Sequence, residues 1–166
     1  MTGTVHIREA TSADIPAMGA CRRMDPDAGE ADPRMADYLE GRHHPHQAAL
    51  PRVAFVAVAG DTVVGYIAGH QTRRFGCDGE VQYLFVAPAY RRQGVATALL
   101  RALAAWFEQR TLAKVCVNVN VDSPGAPPFY ERCGAKALNP HWYLWDDIVR
   151  GLRSRQDVQP GSDETT

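Results

Sequence analysis

The chain has 166 residues, 45% of them hydrophobic, and a formal net charge of −1 at pH 7. That is enough for one sizeable core and too little for two ordinary domains, and the near-neutral balance argues against nucleic acid as the main partner, because phosphate backbones are bound by a basic face. No apolar run approaches the roughly 18 residues of a membrane span, and Met1-Thr2-Gly3-Thr4 has no basic segment followed by an apolar one, so a cytoplasmic protein with no membrane partner is expected.

In chain order, Val5-His6-Ile7-Arg8 alternates as a strand, and Thr11-Ser12-Ala13-Asp14 offers caps for a helix running to about Met24. Asp25-Pro26-Asp27-Ala28-Gly29 breaks it, and a second helix is expected around Pro33 to Arg42. Val53 to Val58 and Val63 to Ala68 flank Gly60-Asp61 as a hairpin. A central strand follows near Gly79 to Ala87, then a helix from about Gly94 to Gln109 with Leu99, Leu100 and Leu103 as its buried stripe. Lys114 to Val119 reads as a strand, Pro127 to Cys133 as a short helix, and Ala135 to Leu138 and His141 to Trp145 as closing strands. After Arg150 the composition turns polar, so residues 1–150 are read as a single domain and 151–166 as a disordered tail. The order implies an α/β domain with a mixed sheet.

The most informative stretch is Val81-Gln82-Tyr83-Leu84-Phe85-Val86, then Ala87-Pro88-Ala89-Tyr90, then Arg91-Arg92-Gln93-Gly94-Val95-Ala96-Thr97. A strand turns through proline into a helix whose first N–H groups lack carbonyl partners, with two guanidinium groups beside them. Such a helix start is a phosphate cradle, with Gly94 allowing close approach and Ala96 keeping the next turn thin. It is neither a P-loop nor a dinucleotide fingerprint.

On these residues the chain resembles the GCN5-related N-acetyltransferase superfamily, whose signature Arg/Gln-x-x-Gly-x-Gly/Ala is filled by Arg91, Gly94 and Ala96. A second block, Ala126-Pro127-Pro128-Phe129-Tyr130-Glu131-Arg132-Cys133-Gly134-Ala135, is similar to that family's later Ala-x-x-Phe-Tyr-x-x-x-Gly-Phe element, and the likeness extends over roughly residues 4 to 147. The resemblance implies a mixed, mostly antiparallel central sheet whose middle strands splay apart, flanked by helices. It also implies acetyl-CoA as acyl donor, with its pantetheine arm pairing with Leu84, Phe85 and Val86 and its pyrophosphate on Arg91, Arg92, Gln93, Gly94, Val95, Ala96 and Thr97.

Direct transfer of acetyl to an amine needs a base, since an amine with a pKa near ~10.4 is protonated at neutral pH, and a proton donor for the departing thiolate. Glu80 stands where the histone-acetyltransferase branch carries its catalytic glutamate; it is either that base or an exposed strand-end carboxylate. Gln82, two residues on and expected on the same face, is a candidate to hold a water for it. Tyr130 occupies the family's general-acid position, with Phe129 packing beside it, and a backbone N–H near Phe85 is the candidate oxyanion donor. Seven residues before Tyr130, where many relatives have asparagine, this chain has Ser123, with Asn120 upstream as an alternative cofactor contact.

The remaining conspicuous residues are read conservatively. His43-His44-Pro45-His46 is a solvated loop and no metal is expected; Cys21, Cys77, Cys116 and Cys133, with no C-x-x-C pair, are free thiols. Trp142, Tyr143 and Trp145 are core or homodimer-interface aromatics, and Arg73-Arg74, just before the central strand, either line the substrate entrance or, as the preferred reading, form an exposed loop pair. Asp25, Asp27, Glu30 and Asp32 would attract a cationic amine if they face the cleft. The expected function is acetyl transfer to a primary amine of a small molecule. A protein lysine or N-terminal acceptor is the alternative within the family, and a non-catalytic acyl-CoA-binding module the alternative outside it.

Overall fold

The computed structural model describes residues 3–120 and 123–156. Seven strands form one sheet in the order β1-β2-β3-β4-β5-β7-β6. They are β1 (Val5–Glu9), β2 (Ala48–Ala59), β3 (Thr62–Thr72), β4 (Gly79–Val86), β5 (Val115–Asn118), β6 (Lys136–Asn139) and β7 (Trp142–Trp145). All neighbours are antiparallel except β4 and β5. The helices are α1 (Ile15–Arg22), α2 (Met35–Leu39), α3 (Val95–Gln109), α4 (Ala126–Arg132) and α5 (Ile148–Gln156).

The hairpin forms as its turn chemistry predicts: Ala59 faces Thr62 across Gly60-Asp61, with Gly60 at φ 60°. Both strands run further than expected, and β3 is covered on both faces over most of its length. On one face α3 seats Leu99, Leu100, Leu103 and Phe107, all fully buried, against Val53, Ala57, Ile67 and Val81. On the other, Met18 and Cys21 of α1 and Met35 and Tyr38 of α2 close over Val56, Tyr66, Ala68 and Phe85. These two layers on a twisted sheet bury the apolar stripes that the sequence periodicity announced.

Several boundaries depart from the sequence reading. The first helix begins with a 3-10 turn, Ser12–Asp14, and stops at Arg22; the second shortens to Met35–Leu39. Asp14 fixes the first turn, accepting from Arg8 through both oxygens at 2.8 Å and from the Thr11 N–H at 2.8 Å, and these bonds lower its carboxyl to about 2. The tail expected from 151 onward is helical as far as Gln156. Ile148 and Leu152, one turn apart and both buried, dock α5 onto the α3 side of the core, and two apolar residues in a polar run were too sparse a pattern to announce that helix. Residues 157–166 of the expected tail lie outside the described residues.

Close approach of α3 to the sheet depends on Gly69 of β3. A Cβ there would lie 2.8 Å from the Glu80 carbonyl oxygen and 3.0 Å from a Leu103 methyl. Gly69→Ala is therefore expected to cost about 1–3 kcal/mol by overpacking and to lower Tm by several degrees, while Gly3→Ala, with open space around it, leaves Tm unchanged. Thermal unfolding of the two variants checks this.

Candidate active site

β4 and β5 pair over only three residues, Gly79 with Val115, Glu80 with Cys116 and Val81 with Val117. Beyond Val81 they part, leaving the β5 side of β4 without a partner strand. The parting coincides with a bulge: Gly69 faces Val81 but Ala68 faces Tyr83, so Gln82 is the extra residue. Across the bulge Glu80 and Tyr83 both turn toward α2, and the Gln82 side chain reaches the Tyr83 phenol on that same side.

Backbone direction along the open edge follows from the ladder. The Ala87 N–H donates to the Val64 carbonyl at 2.8 Å. Antiparallel alternation then turns Phe85 toward β3 and Leu84 and Val86 toward the gap. Leu84 and Val86 thus present their backbone groups to the gap while the Phe85 N–H turns to β3, so of the N–H groups near Phe85 considered for an oxyanion, those of Leu84 and Val86 face the gap. The Phe85 ring instead packs on Tyr66 under the guanidinium groups of Arg22 and Arg91.

At the far end of β4 a 3-10 turn, Pro88–Tyr90, leads through Arg91, Arg92, Gln93 and Gly94 into α3. Gly94 caps the helix in the left-handed region at φ 81°, with nothing within 4 Å of where a Cβ would project. Residues 91–94 are exposed, and the N–H groups of Val95, Ala96 and Thr97 open the helix, where no carbonyl lies four residues back. Arg92, also at positive φ (61°), lies in the same turn. Arg91 has a second engagement that the sequence did not disclose: its Nε donates to the Val86 carbonyl at 2.9 Å and its Nη2 to Asp25 Oδ2 at 2.7 Å. It ties the end of β4 to the loop after α1 and holds the Asp25 carboxyl below its ordinary range. An open strand edge running into an exposed glycine-capped helix start fits the amides and diphosphate of coenzyme A.

Glu80 is not the exposed strand-end carboxylate that was one of the two readings weighed for it. It is 3% exposed, and its Oε1 accepts from Arg74 Nε at 3.0 Å and from Thr72 Oγ1 at 3.5 Å. His70 Nε2 stands 3.8 Å from Oε2, while His70 Nδ1 and the Tyr38 hydroxyl share a hydrogen bond at 2.7 Å. Burial raises the Glu80 carboxyl above its usual range and Arg74 opposes the rise; burial pushes fully enclosed His70 down to about 4, so it is neutral near pH 7. Arg74 is the residue that sequence reasoning missed. Its position just before the central strand was visible, but nothing local distinguishes it from exposed Arg73.

Tyr130 lies on the α3 side of the sheet, 6% exposed, its ring 5.1 Å from half-buried Phe129 and 6.0 Å from Trp145. Burial raises its phenol well above the ordinary value. A phenol that resists ionisation carries its proton at neutral pH and can donate it. Glu80 and Tyr130 therefore occupy opposite faces of the sheet. Ser123 is exposed; its N–H bonds the Asn120 carbonyl at 3.1 Å and its own carbonyl accepts from Ala126, which places it in the turn that starts α4.

The acidic loop is less free than its charge suggests: Asp25 pairs with Arg91, and Asp32 accepts from Arg34 at 3.2 Å and from the Tyr83 hydroxyl at 3.1 Å. In the histidine loop, His44 Nδ1 lies 2.7 Å from Arg52 Nη2 and His46 meets Gln47, so these rings engage their neighbours. Trp145 is core, donating to the Cys133 carbonyl at 3.0 Å, and Tyr143 donates to Glu131 at 2.9 Å. All four cysteines are buried thiols outside any disulfide. A cavity of about 370 Å³ lined by Glu9, Ser12, Ile15, Leu39 and Arg52 lies at the β1 side, away from the gap and the phosphate turn. The gap is the better candidate because it combines unpaired strand backbone with a helix start.

The sequence model described as "Acetyltransferase (GNAT) family" matches residues 20–135. The chain belongs to this family. Among curated proteins this GNAT chain is similar to N-alpha-acetyltransferase 30 of Schizosaccharomyces pombe, 32% identical over 95 residues that make up 56% of this chain and 62% of that protein. The match thus spans less than two thirds of that relative's length. Similar solved structures include a GNAT-family acetyltransferase from Staphylococcus aureus Mu50, with a TM-score of 0.67 at 12% identity over 85% of this chain and 98% of that one. Ard1 from Thermoplasma volcanium gives 0.65 at 20% identity over 84% and 94%. PaiA N-acetyltransferase from Thermoplasma acidophilum, solved with coenzyme A, gives 0.62 at 16% over 85% and 96%. At these identities the structures establish a common fold.

The Gly94 turn generates a direct test. Gly94→Glu places a β-carbon and a carboxylate in the open space at the helix start, in a conformation that side chains avoid. Coenzyme A affinity, measured by calorimetry on folded protein, is expected to fall by more than about tenfold, or roughly 1.4 kcal/mol. Unchanged affinity would move the diphosphate elsewhere.

Proposed function

We propose that this protein is an acetyl-CoA-dependent N-acetyltransferase that transfers acetyl directly to a primary amine with both substrates bound. The observation that carries this reading is the unpaired edge of β4 at Leu84 and Val86, continuous with the Gly94 helix start, in a chain of the GNAT family. Bound acetyl-CoA supplies the activated thioester. Val95, Ala96 and Thr97 offer N–H groups to its diphosphate, with Arg92 and Gln93 beside them, and Arg91 braces the turn by holding the Val86 carbonyl.

Along the gap, Leu84 and Val86 orient the pantetheine amides by strand-like hydrogen bonds, and a gap-side N–H of β4 stabilises negative charge developing on the thioester oxygen. Glu80, with its carboxyl raised toward neutrality, accepts the amine proton through intervening water, because its own carboxylate is enclosed. Tyr130 donates to the departing sulfur. Ser123 and Phe129 border this end from the turn and helix that carry Tyr130.

For the acceptor, the likeness to N-alpha-acetyltransferase 30 supports the α-amine of a polypeptide N-terminus. The enclosure of Glu80 favours a second reading, a small primary amine, since a compact acceptor needs the narrower entrance. Thiol release on mixing acetyl-CoA with a panel of N-terminal peptides and small diamines separates the two, and no release with any amine would support the non-catalytic acyl-CoA-binding alternative.

Tyr130→Phe keeps the ring and loses the proton. Its fold and coenzyme A affinity are expected to stay intact while kcat falls by roughly 100-fold, the low end for general acid catalysis because a thiolate leaves readily. Steady-state kinetics with Tm as folding control checks this, and a rate within about twofold of the parent would leave Tyr130 as packing only.

A further inference from the structure

Two loops meet above Glu80, and one side chain joins them. From the 3-10 turn between β3 and β4, Arg74 Nε donates to Glu80 Oε1 at 3.0 Å and its Nη2 to the His46 carbonyl at 2.8 Å, and its guanidinium lies 4.7 Å over the Trp142 ring. Thr72 supports the same junction, its hydroxyl accepting from the Arg74 N–H at 3.2 Å and placing its single proton between the Gln47 carbonyl at 3.3 Å and Glu80 Oε1 at 3.5 Å. Both loops hold a bulky residue in the left-handed region, Gln47 at φ 62° and Phe75 at φ 56°. Half-exposed Phe75 sets its ring 5.1 Å from Trp142, so aromatic contact secures the turn that delivers Arg74. Such backbone positions persist only where surrounding contacts over-determine them.

The surroundings of Glu80 leave no other counter-ion. His70 from β3 is neutral at working pH, Thr72 is a hydroxyl, Cys116 from β5 stands 4.0 Å away as a buried thiol, and Tyr38 of α2 reaches the group only through His70. Among the described residues, Arg74 and neutral His70 are the basic groups within 4 Å of the carboxylate. An enclosed carboxylate without a charge partner takes up a proton and ceases to be a base.

We propose that Arg74 is the positioning residue for Glu80, keeping it ionised and aimed while latching residues 43–47 to the turn at 74–76. This rests on the reading of Glu80 as base, and the test keeps the two apart. In Arg74→Met the Glu80 carboxyl titrates higher, the acidic limb of the rate profile moves up in pH by roughly a unit or more, and the rate at a fixed pH low on that limb falls about tenfold relative to the parent. Arg74→Lys, which keeps the charge, recovers most of the shift.

The measurements are the pH profile of kcat/KM and the carboxyl-carbon NMR titration of Glu80, identified by its loss in Glu80→Gln. A titration that moves with the limb supports the proposal. If the Glu80 titration stays in place in folded Arg74→Met, the proposal is overturned. If it moves and the rate limb does not, Arg74 sets the charge of Glu80 as proposed and the base reading fails. Should Arg74→Met not fold, Arg74→Gln against Arg74→Lys makes the same comparison, since both keep a polar side chain and only one keeps the charge.

Discussion

The site depends on a backbone constraint: two parallel strands that separate after three paired residues. A buried strand edge without partners is costly, so the groups at Leu84 and Val86 must be met by something other than β5. The protein meets one of them itself, with Arg91 on the Val86 carbonyl, and leaves the stretch before it for a ligand with amide groups. The bulge at Gln82 stands where pairing ends, and by resetting the alternation it sends Leu84 and Val86 to the gap and Tyr83 to the α2 side.

Charge is arranged around that gap in two layers. On the outer side, Asp25 pairs with Arg91 and Asp32 with Arg34 and the Tyr83 hydroxyl, so these two of the loop's four carboxylates are engaged. On the inner side, Glu80 is held between desolvation, which favours its protonated form, and Arg74, which favours the ionised one. The carboxyl is thereby raised above its ordinary range by burial and drawn back by Arg74. Burial acts in the same direction on Tyr130, on the opposite face, and raises its phenol above the ordinary value.

Much of the fold was legible because its signals are local. Alternation and turn chemistry around Gly60-Asp61 specify the hairpin, and the 3.6-residue stripe of Leu99, Leu100 and Leu103 specifies α3. α5 escaped because Ile148 and Leu152 gain meaning only from the core they dock against. Among the candidate site residues, the glycine-capped turn from Arg91 to Gly94 was legible as a turn through its local chemistry, whereas the environment of Glu80 was not.

The sequence by itself determined the order of elements as far as β7 and the glycine-capped helix start at Gly94, because these follow from periodicity and φ preference within a few residues, while the family was legible through the likeness of two motifs to those of the GNAT superfamily. Only the tertiary structure decided that Glu80 is enclosed, that Arg74 rather than Arg73 meets it, that Arg91 is shared between the strand end and Asp25, and that Phe85 faces β3. Each of those rests on contacts between segments distant in the chain or on a one-residue bulge, and a register slip of one residue reverses every side chain beyond it.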